Sequence, residues 1–305
     1  MRSDPSRRIV GAVRVAGMLL LVGFFAARTD WGIVAAALTG PRAPVWLAAA
    51  LGAYAVGQVG NGLAWRGLLA TTGVLVPFDA MIRHDLSSVF WSTVLPGGVA
   101  GEVVKGARLA RTVDVGAVTV SLLTARLVGG TVSCLLALAA LPWSGIVGLP
   151  RTVGILALLG TTAVGLGGLA VVRIGPSALA RVPWLAARVP LGPFPPVPAV
   201  FAAAALTFAT HVSFAAVYSL CFAAAGHPVS LADGAVICAL TSVAQLAPVT
   251  VGGFGVRELT IAGLGATLVP AAAADAAAVA LTATFTVVVA LGGLVELGRL
   301  RAVPT

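Results

Sequence analysis

Glu102, Lys105 and Arg108 follow a Gly97-Gly98 pair at intervals of three, within the stretch LPGGVAGEVVKG that is otherwise apolar enough for lipid. At helical spacing Glu102 and Lys105 share a face, as do Lys105 and Arg108. Two readings fit. In one, the early turns of a helix and its basic side chains hold an anionic headgroup near the membrane surface. In the other, a capped interfacial helix lets its charges reach water. Glu102 can pair with a base or exchange a proton, and its charge alone does not decide.

A second glycine-centred segment, PVTVGGFGVREL, carries Gly252, Gly253 and Gly255 ahead of Arg257 and Glu258. These glycines permit close packing and unusual backbone angles. Arg257 and Glu258 are adjacent and point in different directions on a helix, so mutual pairing is disfavoured and separate partners are expected. The segment is not a nucleotide loop, because GGFG lacks the GK[ST] ending and no strand precedes it.

Arg126 falls about a dozen residues into an apolar run. At that depth an arginine costs several kcal/mol unless paired or hydrated, so a cavity or a carboxylate is expected beside it. Glu102 and Glu258 are the candidate partners, and a place in a substrate path competes with a purely structural ion pair. Asn61 is placed to hydrogen-bond across a bundle, whereas Trp65 and Arg66 can be interface anchors. Asn61 and Arg66 join Glu102, Lys105, Arg108, Arg126, Arg257 and Glu258 as candidate substrate-binding residues. His211 reads first as a satisfied core histidine and second as a proton carrier. His84-Asp85 lacks the third ligand a metal would need, and no Ser/His/Asp arrangement exists. No cofactor is expected.

The elements that must position these residues are set by composition. The 305 residues are 59% hydrophobic and 10% charged, with a mean hydropathy of +1.05, against about 25% charged in soluble domains. Lipid is therefore the expected solvent, and an all-α polytopic membrane fold the expected class. The long apolar runs argue against a barrel. The net charge of +9 is spread between apolar segments without an aromatic-basic stripe, so nucleic acid is not an expected partner and anionic lipid is. Cys134, Cys221 and Cys238 lie in apolar stretches at unrelated spacings and read as small buried side chains.

Six full spans are expected: Ile9 to Ala27, Pro44 to Ala64, Val115 to Ala140, Thr152 to Val172, Pro198 to Ala224 and Ala276 to Leu297. The start has a basic region and an apolar run without a convincing cleavage sequence, and is read as a retained helix. Two interrupted stretches, Ala80 to Ala110 and Ala232 to Val269, are expected to break at Gly-Gly and return to the side they entered as re-entrant hairpins. Such broken backbone must be shielded by protein or line a wet cavity. The outer segment from Ala26 to Arg42 is expected partly in the interface, anchored by Trp31. The chain is thus one membrane domain over 1–305, with a first half at 9–172, a cytoplasmic connector at 173–197 and a second half at 198–298. A short interfacial helix over Ser177 to Arg188 fits that connector.

The distribution of basic residues tests this arrangement. With a cytoplasmic N-terminus, the inner face receives Arg2, Arg7, Arg8, Arg14, Arg66, Arg83, Lys105, Arg108 and Arg111. Arg173, Arg181, Arg188, Arg299 and Arg301 join them, whereas Arg28, Arg42 and Arg151 fall outside. Fourteen against three holds if each broken stretch returns to its starting side. The C-terminus is then also cytoplasmic, the expected location is the cytoplasmic (inner) membrane, and the halves are compatible with inverted repeats about an in-plane axis.

Together these segments resemble the flippase-like membrane domain family, also called the lysylphosphatidylglycerol synthase transmembrane region. The resemblance rests on NGLAWR at Asn61 to Arg66, LPGGVAGEVVKGARLAR, Arg126 in SLLTARLVG, and PVTVGGFGVRE, and spans Ile9 to Leu297. Two positions depart from the family's pattern: Ala100 where glycine is common, and VTVGG where VTPGG is common. The resemblance implies a bundle of broken helices with a cavity for lipid headgroups. Members joined to a soluble aminoacyl-transferase domain make lysyl-phosphatidylglycerol and are associated with moving it between leaflets. The synthase activity is not expected of this chain, which lacks the hundreds of residues such a domain needs.

Three functions follow as expectations. The first is a flippase or transporter of anionic lipids or polyprenyl-linked glycolipids, with Arg126, Lys105 and Arg257 attracting the headgroup. The second is a non-transporting lipid-binding or assembly subunit for an envelope glycosyltransferase. The third is a membrane enzyme using Glu102, Glu258 or His211 as acid or base. An enzyme is the least expected of these.

Overall fold

The computed structural model describes residues 5–95, 100–179, 192–246 and 250–301. Eleven α-helices cover most of them: α1 Pro5–Arg28, α2 Trp31–Leu38, α3 Ala43–Ala70, α4 Phe78–Val94, α5 Ala100–Leu109 and α6 Val115–Ala140. They continue as α7 Gly148–Leu179, α8 Val197–Ala224, α9 Leu231–Ala244, α10 Val256–Gly265 and α11 Ala271–Arg301. Gly97 and Gly98 lie outside the described residues, as does most of the Ser177 to Arg188 segment, whose first three residues end α7.

Five helices (α3, α6, α7, α8 and α11) are long and apolar enough to cross a membrane. A sixth is counted if the pair α1 and α2, which meet at 81°, forms one broken span. Each of the six expected spans falls within a described helix, the first on α1 alone. The bend falls where Asp30 caps α2, its carboxylate accepting from the backbone N–H groups of Gly32 and Ile33 at 3.0 and 3.1 Å. Trp31 is 51% exposed and donates its indole N–H to the Ala26 carbonyl, as an interface anchor would. The outward faces of these helices carry large apolar side chains such as Leu20, Phe24, Val164 and Phe201. In water that surface would be a liability; in lipid it is the solvated face.

The two interrupted stretches each form a pair of short helices, α4–α5 and α9–α10. Contacts fix the ends of both. Arg66, near the end of α3, donates to the Val76 carbonyl just before α4, and the end of α5 meets the end of α11 through Arg108 and Glu296. At the opposite end of the bundle, Asp233 in the first turn of α9 accepts from the Ser144 hydroxyl and the Gly145 N–H, which follow α6. There too Arg28 meets Asp275 near the start of α11 at 2.5 Å. The end of α10 packs at that end as well, with Gly265 between Phe222 and Ala274. Each hairpin thus returns to the end it entered, and the two enter from opposite ends.

The halves interlock in an exchanged pattern. Helices α3 and α8 run antiparallel at the centre, where Gly57 faces Phe214 and Gly60 faces Thr210. Helix α4 packs on α11 and α9 packs on α6, while α5 touches α6 and α10 touches α11. Register follows the same exchange. Glu102 is the third residue of α5 and meets Arg126, the twelfth of α6. Glu258 is the third residue of α10 and meets Thr282, the twelfth of α11.

Close approach explains one glycine in the first hairpin. A Cβ on Gly101 would stand 1.9 Å from the Ser88 carbonyl oxygen on α4. The Gly101 N–H instead bonds the Ser92 hydroxyl at 3.2 Å. Gly101→Ala is expected to force the hairpin apart, at the cost of about 1–3 kcal/mol typical of overpacking. A purified variant with unchanged thermal unfolding would contradict this packing.

Candidate functional site

Inside the bundle lies a cavity of about 590 Å³, within the range of about 300–1,000 Å³ usual for small-molecule pockets. Helices α3, α4, α5, α6, α7, α8 and α9 all contribute, and Phe285 of α11 closes one side. The cavity is polar where α3 and the first hairpin line it. Toward the bundle surface its wall includes Val164 of α7 and Leu246 beyond α9, which are 72% and 60% exposed.

Two ion pairs face this space. Arg126 Nη1 donates to Glu102 Oε1 at 2.7 Å, with side-chain exposures of 38% and 35%. Of the two expected partners for Arg126, the structure thus brings Glu102 to it. The second pair is closed: Lys105 donates to Asp85, with 6% and 10% of their side chains exposed. The Lys105 ammonium also lies 3.5 Å from the centre of the Trp65 ring, an arrangement that helps hold a desolvated cation. Asp85 Oδ2 and the Trp65 indole N–H are buried without a hydrogen-bond partner among the described residues. Asn61, one helical turn before Trp65, also lines the cavity.

Several expectations are corrected by this geometry. Trp65 is not an interface anchor. It is 2% exposed and belongs to a buried cluster with Leu69, Met81 and Val118 beneath the first hairpin. Arg66 is held by the Val76 carbonyl at 2.7 Å and does not line the cavity. Arg108 turns to α11, where it grips Glu296 through two bonds of 2.7 Å and accepts no place in the cavity wall. Ser87 donates to the same carboxylate, so Glu296 ties α4, α5 and α11 together.

The largest correction concerns Arg257 and Glu258. They do pair, with Arg257 Nε and Nη2 at 3.0 and 2.8 Å from Glu258 Oε1. The reason is the helix start. Glu258 folds back to accept from the Gly255 N–H at 2.6 Å, as N3 glutamates in a capping box do. That rotation brings its other oxygen within reach of the long Arg257 side chain and the Thr282 hydroxyl. Gly252, Gly253 and Gly255 have φ of 63°, 74° and 83°, which shows that the turn before α10 needs glycine's left-handed conformations. Arg257 and Glu258 are both buried and outside the cavity lining. Phe285 stands between, its ring centre 4.5 Å from the Arg257 guanidinium carbon.

His211 lines the cavity, and its Nδ1–H donates to the Thr207 carbonyl at 2.8 Å. The three cysteines are buried free thiols in the main core. Among the wall residues that the sequence did not single out are Tyr54 and Gln58 on α3, Ser88 and Ser92 on α4, and Ser133 on α6. The signal for Gln58 was its place three residues before Asn61 on one helix, the i,i+3 spacing that shares a face.

A multi-pass helical bundle, with two broken hairpins meeting at a polar cavity inside an apolar shell, defines a membrane protein built to admit a polar group. The chain belongs to the lysylphosphatidylglycerol synthase transmembrane-region family, whose profile matches residues 9–293. No curated protein matches the chain significantly. The family places it among membrane proteins related to lipid handling.

Proposed function

We propose that this protein is a flippase, moving the headgroup of an anionic or polyprenyl-linked lipid through the cavity while the tails stay in the bilayer. One observation carries the reading. The cavity is walled on one side by the partly accessible Arg126–Glu102 pair and on another by the lipid-exposed Val164 and Leu246. A headgroup can enter such a space without drawing its acyl or isoprenyl chain out of hydrocarbon. Arg126 is the anion ligand, because its guanidinium offers paired donors to a phosphate in a site drier than water. Lys105 supplies nearby positive charge but remains committed to Asp85.

The test is reconstitution into vesicles with labelled phosphatidylglycerol and a labelled polyprenyl-phosphate sugar, following access of each label to a membrane-impermeant quencher. Faster loss of the protected pool than in empty vesicles is expected for at least one lipid. Rates equal to empty vesicles for both, with folded protein, would overturn the proposal.

The protein sits in the cytoplasmic membrane with both termini inside, as the basic residues around the first hairpin and at the end of α11 argue. Cysteines at Arg83 and Arg111 are then expected to react from the cytoplasmic side, and cysteines at Arg42 and Arg151 from the opposite side. Labelling of all four from one side would break the topology.

A further inference from the structure

Helix α3 presents Tyr54, Gln58, Asn61 and Trp65 to the cavity at positions i, i+4, i+7 and i+11. This is one continuous stripe along a helix face. Its centre is two neutral carboxamides. Neither Gln58 nor Asn61 hydrogen-bonds any described residue, and Asn61 is exposed within the space it lines. Across from them the hydroxyls of Ser88 and Ser133 also line the cavity without a described partner. Polar groups inside a bundle are costly when unmatched and are kept where a ligand or water satisfies them.

The charges in the lining point the same way. Lys105 is matched by Asp85 and Arg126 by Glu102, so the described wall carries two cations and two carboxylates. No surplus carboxylate stands ready for an ammonium group. What remains unmatched is a set of neutral groups that both donate and accept. A carboxamide offers two N–H donors and a carbonyl acceptor, and a hydroxyl offers one donor and two lone pairs. The complement of such a set is a cluster of hydroxyls.

We infer that the α3 stripe of Gln58 and Asn61 reads hydroxyl groups, and that the headgroup taken by the cavity is a sugar or other polyol carried on a lipid. The inference rests on the flippase reading for its biological sense but concerns binding alone. Gln58 and Asn61 are specificity-determining residues. Arg126 holds the phosphate of a polyprenyl-phosphate sugar, and in a glycosylated diacylglycerol, which has no phosphate, the stripe alone reads the headgroup. The stripe accepts the same chemistry from two sources, a glycosylated diacylglycerol or a polyprenyl-phosphate sugar.

Binding to the purified full chain in detergent tests this, with four probes: dioleoylglycerol, glucosyl-dioleoylglycerol, decaprenyl phosphate and decaprenyl-phosphate glucose. At least one glucose-bearing lipid is expected to bind about tenfold more tightly than its sugar-free counterpart, as two or more matched hydrogen bonds provide. Whichever pair shows the difference identifies the source. Gln58→Leu with Asn61→Leu is expected to remove the preference while leaving decaprenyl phosphate binding within about twofold. Ser88→Ala, a smaller change, is expected to weaken the preference in a fold left intact. Equal binding of both sugar-bearing lipids and their counterparts would overturn the inference, as would an undiminished preference in the double variant. Loss of lipid movement with the sugar preference retained would instead count against the flippase reading and leave this one standing.

Discussion

Lys105→Met is expected to lower the stability of the bundle by about 3–5 kcal/mol, the usual cost of leaving one member of a buried ion pair uncompensated. Asp85 is 8% exposed, and one of its oxygens already has no hydrogen-bond donor. Removing the ammonium would leave the carboxylate with neither a counter-charge nor a hydrogen bond in a space closed by Gly62, whose Cα side lies against Oδ2. Methionine keeps an unbranched apolar side chain of similar length and removes the ammonium that lies over the Trp65 ring, so the measurement reports on the charge. Adding Asp85→Asn is expected to recover much of the loss, because a neutral amide needs no counter-ion there. Thermal unfolding in detergent checks both variants. Wild-type unfolding by Lys105→Met, combined with weaker binding of an anionic lipid, would show that Lys105 serves the ligand and not the fold.

How much of this was legible in the sequence depends on the range of the interaction. The spans were legible because lipid imposes apolar runs of about 20 residues, and both hairpins because two stretches combine Gly-Gly with several charges and make no comfortable single span. The Arg126–Glu102 pair was legible as one of two options, since an arginine in an apolar run must find a carboxylate and few are available. Arg257–Glu258 was misread because helical periodicity treats adjacent residues as diverging. A capping glutamate escapes that rule by folding back onto its own helix start. Arg108 was misread because its partner, Glu296, is 188 positions away and nothing local marks the meeting. Trp65 looked like an anchor because it sits near a span's end. The first hairpin folds over it, and no local pattern tells a covered tryptophan from an exposed one. Tyr54 acquires meaning only from the helices that leave a void beside it, whereas Gln58 could have been read from its spacing to Asn61.

Arg126→Gln is expected to slow lipid movement about 10–100-fold while changing thermal stability by about 1 kcal/mol or less. The contrast with Lys105 follows from accessibility. More than a third of the Arg126 side chain and a similar share of Glu102 remain exposed in the cavity, so their pairing resembles a surface salt bridge in cost and in replaceability. An incoming phosphate competes with Glu102 for the guanidinium. Arg126→Lys is expected to restore part of the activity, because it keeps the charge and loses the planar pair of donors. Glu102→Gln is expected to behave oppositely in binding: anionic lipid binds as tightly as to the wild type or more so, since the competing carboxylate is gone. Transport nonetheless slows, because release of the headgroup requires Glu102 to reclaim Arg126. Transport rate, lipid binding and unfolding temperature measured on the three variants separate these roles. Wild-type binding and transport by Arg126→Gln would remove the guanidinium from the path. A large fall in unfolding temperature in both Arg126→Gln and Arg126→Lys would make the pair a strut between α5 and α6.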